Sequence, residues 1–212
     1  ILNKNNPFPT EKPNTANPVY MLDLTQSTDL LLKKLSKVHR YELRQWEISS
    51  ANLITDKSRL LTGLFDLYRK TLSRVNASAL YYFQTETLSH LVESKNTIAI
   101  GVITQGKLEA ISLFLHTPYI ADYFINASTI DGRRHARGLL WTGIEMLKQL
   151  SIPSLNLGGG IKPNDNLDKY KRRFGGVLYS SPVLKQIYNQ EKFDMLCKKI
   201  YDHHNYFPPY HT

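Results

Sequence analysis

Apolar positions along the chain change their spacing several times, and each change marks an element. Val19–Leu24 reads as a strand, and Ser27 or Thr28 opens a helix to about Trp46 in which leucines recur at helical spacing. Asp56 is placed to cap a second helix, whose apolar face of Leu60, Leu61, Leu64, Phe65, Leu67 and Tyr68 runs on to about Arg74. Tyr81-Tyr82-Phe83 leads into a short helix over 85–93. Three β-rich runs follow at 97–104, 108–116 and 119–128, the first two joined by Gln105-Gly106 as a hairpin turn. A long helix from about Arg134 to Leu150 feeds a strand at Leu155–Leu157. Strands near 177–179 and 183–188 and a last helix over 192–203 complete the series. This order predicts an α+β fold, a mixed and mainly antiparallel sheet flanked by helices.

The densest chemistry lies after the Leu155–Leu157 strand. Gly158-Gly159-Gly160 removes three β-carbons in succession, so the main chain turns freely and a ligand can approach it. Pro163 and Asn164 stop any strand, Asp165 or Asn166 caps a new helix, and Gly175-Gly176 stands where a helix terminator belongs. On that helix Lys171 falls four residues after Leu167 and three before Phe174, which brings its amine near the apolar stripe and the glycines. A plain turn beside a solvated basic helix is the competing interpretation.

Strand, Gly-Gly-Gly, spacer and Tyr170-Lys171-Arg172-Arg173-Phe174-Gly175 together resemble the FemAB-like branch of the GNAT acyltransferase superfamily, the peptidoglycan-bridge aminoacyltransferases and their relatives in polysaccharide clusters. There the segment usually reads Phe-Lys-x-x-Phe-Gly, so tyrosine replaces the first phenylalanine. Tyr20-Met21-Leu22-Asp23-Leu24, followed by Leu35-Ser36-Lys37-Val38-His39-Arg40, resembles the strand and basic helix that open the family's domain. The resemblance spans roughly residues 19–188. It implies a GNAT-like fold and transfer of an acyl or aminoacyl group to an amine of a cell-envelope precursor or sugar nucleotide. On this resemblance Lys171 and Tyr170 are the catalytic candidates, and Gly158, Gly159, Gly160, Asn126, Arg173 and Phe174 the substrate-binding ones. The family often carries two tandem halves, so 1–18 is expected to be a linker or the remnant of an upstream domain, and 19–212 the C-terminal half of a longer protein.

A second cluster opens the long helix: Asp131-Gly132-Arg133-Arg134-His135-Ala136-Arg137-Gly138. Cations at a helix start oppose the macrodipole, which points to an anionic partner, and guanidinium forks suit phosphate. Arg133-x-x-Ala136-x-Gly138 also resembles the GNAT pyrophosphate loop, with alanine at the first glycine place. Arg133, Arg134, Arg137 and Gly138 are therefore candidates for holding the donor's phosphates, against the alternative of a solvated charge run. Lys37, Arg40 and Arg44 share a helical face that is solvated or touches an acceptor phosphate. His116 and His135 are either structural or proton acceptors.

Composition narrows this only partly. The chain has 212 residues, of which 42% are hydrophobic, enough for a core of its own, and its formal charge of +9 favours anionic ligands without choosing among phosphate, nucleic acid and membrane. Cys197 is the single cysteine, which excludes an intrachain disulfide and a cysteine metal site. The histidines at 203, 204 and 211 have no standard ligand spacing, so no metal is expected. No tightly bound cofactor is expected; acyl-CoA or aminoacyl-tRNA serves as donor. The expected partners are a small or lipid-linked envelope precursor, tRNA and the membrane periphery. With no stretch long enough to span a bilayer and no signal segment, a cytoplasmic location is expected, including the inner membrane face. The alternative is a non-catalytic basic module for nucleic acid or an anionic glycan.

Overall fold

The computed structural model describes residues 14–15, 18–49, 52–159, 166–180, 182–183 and 186–198. They divide into two units. The smaller unit takes in the segments before residue 18 and after residue 179, and the larger unit is Pro18–Tyr179.

In chain order the elements are β1 (Asn14–Thr15), β2 (Val19–Asp23), α1 (Thr28–Lys34), α2 (Lys37–Ser49), β3 (Leu53–Ile54), α3 (Lys57–Arg74), α4 (Thr85–Glu93), β4 (Thr97–Thr104), β5 (Lys107–His116) and β6 (Ala121–Ser128). Then come α5 (Ala136–Gln149), β7 (Ser154–Asn156), α6 (Asn166–Arg173), β8 (Val177–Tyr179), β9 (Pro182–Val183) and α7 (Gln190–Cys197). In the smaller unit β1 pairs antiparallel with β9, and α7 carries a half-buried Cys197. The strand expected over 183–188 is limited to β9 among its described residues, and the far end of the last helix lies outside them.

The larger unit is a seven-stranded sheet in the order β3-β4-β5-β6-β7-β2-β8. Each neighbouring pair is antiparallel except β6 and β7, which run parallel, so the expected mixed, mainly antiparallel sheet is found. Helix α5 connects these two parallel strands, as a parallel pair requires. Their pairing is short, limited to Ala121 with Leu155 and Asp122 with Asn156. Beyond it β6 runs on to Ser128 without β7, and the sheet opens.

Both faces of the sheet are covered. Leu60, Leu64, Leu67 and Tyr68 of α3 join Leu88 and Val92 of α4 against Ala99, Ile111, Leu113, Ile125 and Ala127. The opposite face packs Leu31, Leu43, Trp46, Leu139, Leu140, Ile144 and Phe174 against Tyr20, Leu22, Ile100, Phe114 and Leu155. Strand residues alternate between the two clusters because successive side chains point to opposite faces.

Local chemistry explains most boundaries. Asp56 caps α3 by accepting the Ser58 and Arg59 N–H groups, as its position implied. Gln105 and Gly106 both have positive φ, 50° and 75°, the geometry of a tight hairpin turn. The single helix expected from Ser27 or Thr28 to Trp46 is instead two, because Leu35 is extended with ψ 147°. Ser36 Oγ accepts the His39 N–H at 3.2 Å and starts α2, while Arg40 Nη1 donates to the Lys33 and Leu35 carbonyls at 3.0 and 2.9 Å and closes α1. A short 3-10 turn, Asp131–His135, precedes α5.

Candidate functional site

The glycine turn and α6 meet where the sheet opens. Asn156, the last residue of β7, donates Nδ2–H to Asp122 Oδ1 at 2.9 Å and accepts the Gly158 N–H on Oδ1 at 2.8 Å. Gly158 has φ +74°, a conformation suited to glycine, and is held to β2 by Tyr20 N–H donating to its carbonyl at 3.0 Å. Lys171 is 6% exposed, and its Nζ donates to the Gly159 carbonyl at 2.6 Å. A β-carbon on Gly158 would lie 3.2 Å from that amine, and one on Gly159 would lie 2.7 Å from the Pro18 carbonyl oxygen. The space freed by these glycines is thus occupied by the chain itself, an ammonium on one side and a carbonyl on the other. Gly160, along with Pro163, Asn164 and Asp165, lies outside the described residues.

Helix α6 is fixed at both ends of its working face. Gly176 N–H donates to the Lys171 carbonyl at 3.1 Å and Gly175 N–H to that of Arg172 at 3.0 Å, with Gly175 at φ +90°. This is the Schellman arrangement, and it realises the terminator expected of the glycine pair. One turn before Lys171, the buried Asp168 accepts the Tyr20 hydroxyl at 2.6 Å and Arg172 Nη2 at 2.8 Å. Tyr20 therefore holds the glycine turn through its backbone and α6 through its side chain. Neither Tyr20 nor Asp168 was singled out by sequence reasoning as a site residue. Asp168 stands three residues before Lys171 at helical spacing, the one signal that could have drawn notice.

Tyr170, next in sequence to Lys171, faces other neighbours. Its ring lies 5.6 Å from His39 and 5.9 Å from Phe174 between centroids, with Arg137 Cζ 5.9 Å above it. Burial pushes its hydroxyl well above the usual phenol range, and the neighbouring Tyr123 adds to the effect. Tyr123 itself is pushed up to about 12 by burial, against the hydrogen bonds of Ser112 and Asn126. Asn126, exposed near the end of β6, donates Nδ2–H to Ser112 Oγ at 3.0 Å on this same face of the sheet. Phe174 is buried core, and Arg173 contributes its carbonyl, which accepts Ser36 N–H at 3.0 Å, while its side chain is exposed. His39 is buried and held near pH 4 by desolvation, with the Arg137 charge acting in the same direction.

The arginine-rich segment separates into distinct environments. Arg137 Nε lies 3.0 Å from Glu42 Oε2. Arg134 Nη2 lies 3.5 Å from Glu109 Oε2 and Arg134 Nε donates to His135 Nε2 at 3.1 Å, with that same ring nitrogen 3.3 Å from Glu109 Oε2; burial lowers the pKa of His135. Arg133 is exposed, and its charge, after burial, lowers the pKa of Arg74, whose Nη1 donates to the Ser128 carbonyl at 2.7 Å. Gly138 lies beneath the indole of Trp46, where a β-carbon would overlap the ring. Glu42, Gln45, Trp46, Asn52, Thr104, Arg134, His135 and Arg137 line a cavity of about 560 Å³. His116 lines a separate cavity of about 640 Å³ with α4 residues. Among the described residues no cluster of His, Cys, Asp and Glu could hold a metal ion, and no helix is long and apolar enough to cross a membrane.

No protein-family profile matches the sequence, and no curated protein matches it. Solved structures do match the fold. FemX aligns with TM-score 0.60 at 12% identity, covering 80% of this chain and 61% of its own. The C-terminal domain of a protein named as a lysylphosphatidylglycerol synthetase from Agrobacterium fabrum aligns with TM-score 0.59 at 14% identity, covering 80% of this chain and 59% of that one. L-PGS from Bacillus licheniformis aligns with TM-score 0.56 at 13% identity over 80% and 59%. The chain therefore has a fold similar to theirs and spans about three fifths of each.

Proposed function

We propose that the chain is an acyl or aminoacyl transferase that delivers its group to an amine of a cell-envelope precursor or sugar nucleotide. The observation that carries this is the buried Lys171 ammonium, 2.6 Å from the Gly159 carbonyl at the point where β6 and β7 part. The likeness in fold to FemX and to a protein named for lysylphosphatidylglycerol synthesis supports the same class of chemistry.

In such a transfer the amine nitrogen attacks the acyl carbonyl carbon, and negative charge gathers on the carbonyl oxygen before the leaving group departs. A fixed cation beside that oxygen lowers the barrier because it is oriented before the reaction begins. Lys171 is fixed in this way: α6 is tied to β2 through Tyr20 and Asp168, and its end is closed by Gly175-Gly176. Tyr170, with its pKa raised, remains protonated at neutral pH and acts as a hydrogen-bond donor that orients substrate rather than as a base. Arg133 and Arg134 supply positive charge for the donor's phosphates, whether the donor is an acyl-CoA or an aminoacyl-tRNA. A tRNA donor would give binding that weakens steeply with salt.

Lys171→Met tests the assignment. Transfer is expected to fall by about 100-fold or more while circular dichroism retains the wild-type spectrum. A folded Lys171→Met protein turning over at the wild-type rate removes the role. Salt-sensitive nucleic-acid binding with no transfer in either protein would favour the non-catalytic basic module instead.

A further inference from the structure

Among the described residues six buried side-chain nitrogen or oxygen atoms have no hydrogen-bond partner, and four of them stand together: His39 Nδ1, Glu42 Oε2, Arg137 Nε and Tyr170 Oη. The rings of His39 and Tyr170 are 5.6 Å apart, Arg137 Cζ is 5.9 Å from the Tyr170 ring, and Glu42 Oε2 is 3.0 Å from Arg137 Nε. That last pair is near enough for charge attraction but is not aligned as a hydrogen bond. Buried polar atoms are ordinarily hydrogen-bonded, so two orphans, His39 Nδ1 and Tyr170 Oη, beside an ion pair whose facing atoms make no hydrogen bond, call for a ligand. Glu42 and Arg137 also belong to the wall of the 560 Å³ cavity, which gives such a ligand a route in.

We propose that His39, Glu42, Arg137 and Tyr170 form a recognition subsite for an amide group, with the adjoining cavity admitting the chain that carries it. The charges decide the ligand class. Glu42 and Arg137 offset each other, His39 is uncharged at neutral pH, and the Tyr170 phenol keeps its proton. A phosphate would face the Glu42 carboxylate, an ammonium would face the Arg137 guanidinium, and a methyl group would give none of the four atoms a hydrogen bond. An amide presents both an N–H and a C=O, which match the acceptors on Glu42 and His39 and the donors on Arg137 and Tyr170. Two substrates of the proposed transferase carry that group: the pantetheine arm of an acyl thioester donor and the peptide portion of an envelope-precursor acceptor. The identity of the substrate rests on the transferase reading; the subsite itself does not.

The test is nuclear magnetic resonance titration of the full chain with three probes: N-acetyl-L-alanine methylamide, pantetheine and inorganic phosphate. At least one amide probe is expected to shift the signals of Tyr170 and His39. Pantetheine binding more tightly would assign the subsite to the donor, and the peptide mimic binding more tightly would assign it to the acceptor. Tyr170→Phe is expected to weaken that probe by about tenfold while the unliganded variant melts no lower than wild type, since it loses an unpartnered hydroxyl. The proposal is overturned if neither amide moves these signals, if Tyr170→Phe binds as tightly as wild type, or if phosphate shifts Tyr170 and His39 instead. Loss of amide binding alongside intact Lys171-dependent transfer would remove the subsite alone. Amide binding in a folded wild-type chain that transfers no group would remove the transferase reading alone.

Discussion

The two faces of the sheet are made from the same strands yet treat polar groups differently. Under α3 and α4 the buried side chains are almost all aliphatic or aromatic; Thr71 Oγ1 donates to the Ser128 carbonyl at 3.1 Å and accepts its N–H at 3.0 Å, and two separate buried atoms, Arg74 Nε and Thr97 Oγ1, have no hydrogen-bond partner. Under α2, α5 and α6 the same sheet buries His39, Asp168 and Lys171, and four polar atoms clustered there lack hydrogen bonds, two of them joined as an ion pair. Unpaired buried groups are destabilising, each by roughly 1–3 kcal/mol. A chain retains them where they serve something other than folding. On the proposed function the α3–α4 face mainly secures the fold, and the α2–α5–α6 face, where four such atoms cluster, is the one assigned the chemistry, at some cost in stability.

That contrast can be broken at several points. The largest effect belongs to the apolar face: Leu64→Ala, at a fully buried site, should lower unfolding free energy by about 3 kcal/mol in denaturant titration. Amide binding on the other face should be unchanged, and coupled loss of both would erase the distinction. His39 comes next. Its folded pKa, about 4, lies below the ordinary 6.5, so the unfolded chain takes up the proton first as pH falls. Its contribution is complete above pH 6.5 and is lost progressively toward pH 4, an effect of roughly 2–3 kcal/mol. His39→Gln should flatten stability against pH across that window; an unaltered profile would show that His39 is not the titrating group. The smallest effect is expected from Tyr20→Phe, which removes the hydroxyl donated to Asp168. Stability should fall by about 1–2 kcal/mol, and transfer should slow several-fold through a rise in KM or a fall in kcat as α6 loosens. Wild-type kinetics in that variant would show that Lys171 is positioned without the Tyr20 link.

Sequence patterns disclose what is local. The Asp56 cap, the leucine face of α3, the Gln105-Gly106 hairpin and the Gly175-Gly176 terminator each depend on residues within a few positions of one another, and each forms as expected. The approach of Lys171 to the glycine turn was legible for the same reason, since only a short spacer separates strand and helix. The break between α1 and α2 was not: Arg40 and the distant Arg173 carbonyl, which accepts Ser36 N–H, help stabilise it. The β3 strand, two residues long, is too short for any periodicity to show. The orphan cluster joins α2 near residue 40 to Arg137 and Tyr170, a long-range meeting that no spacing rule encodes.

Gly138 links these observations to variation among related chains. The Trp46 indole fills the place of its missing side chain, and Trp46 stands one turn after Glu42 on the same helix. The glycine thus acts as a gauge of the distance between α2 and α5. A homologue bearing a larger residue at 138 would need a smaller one at 46 or a displaced α2, so these two positions should covary in size.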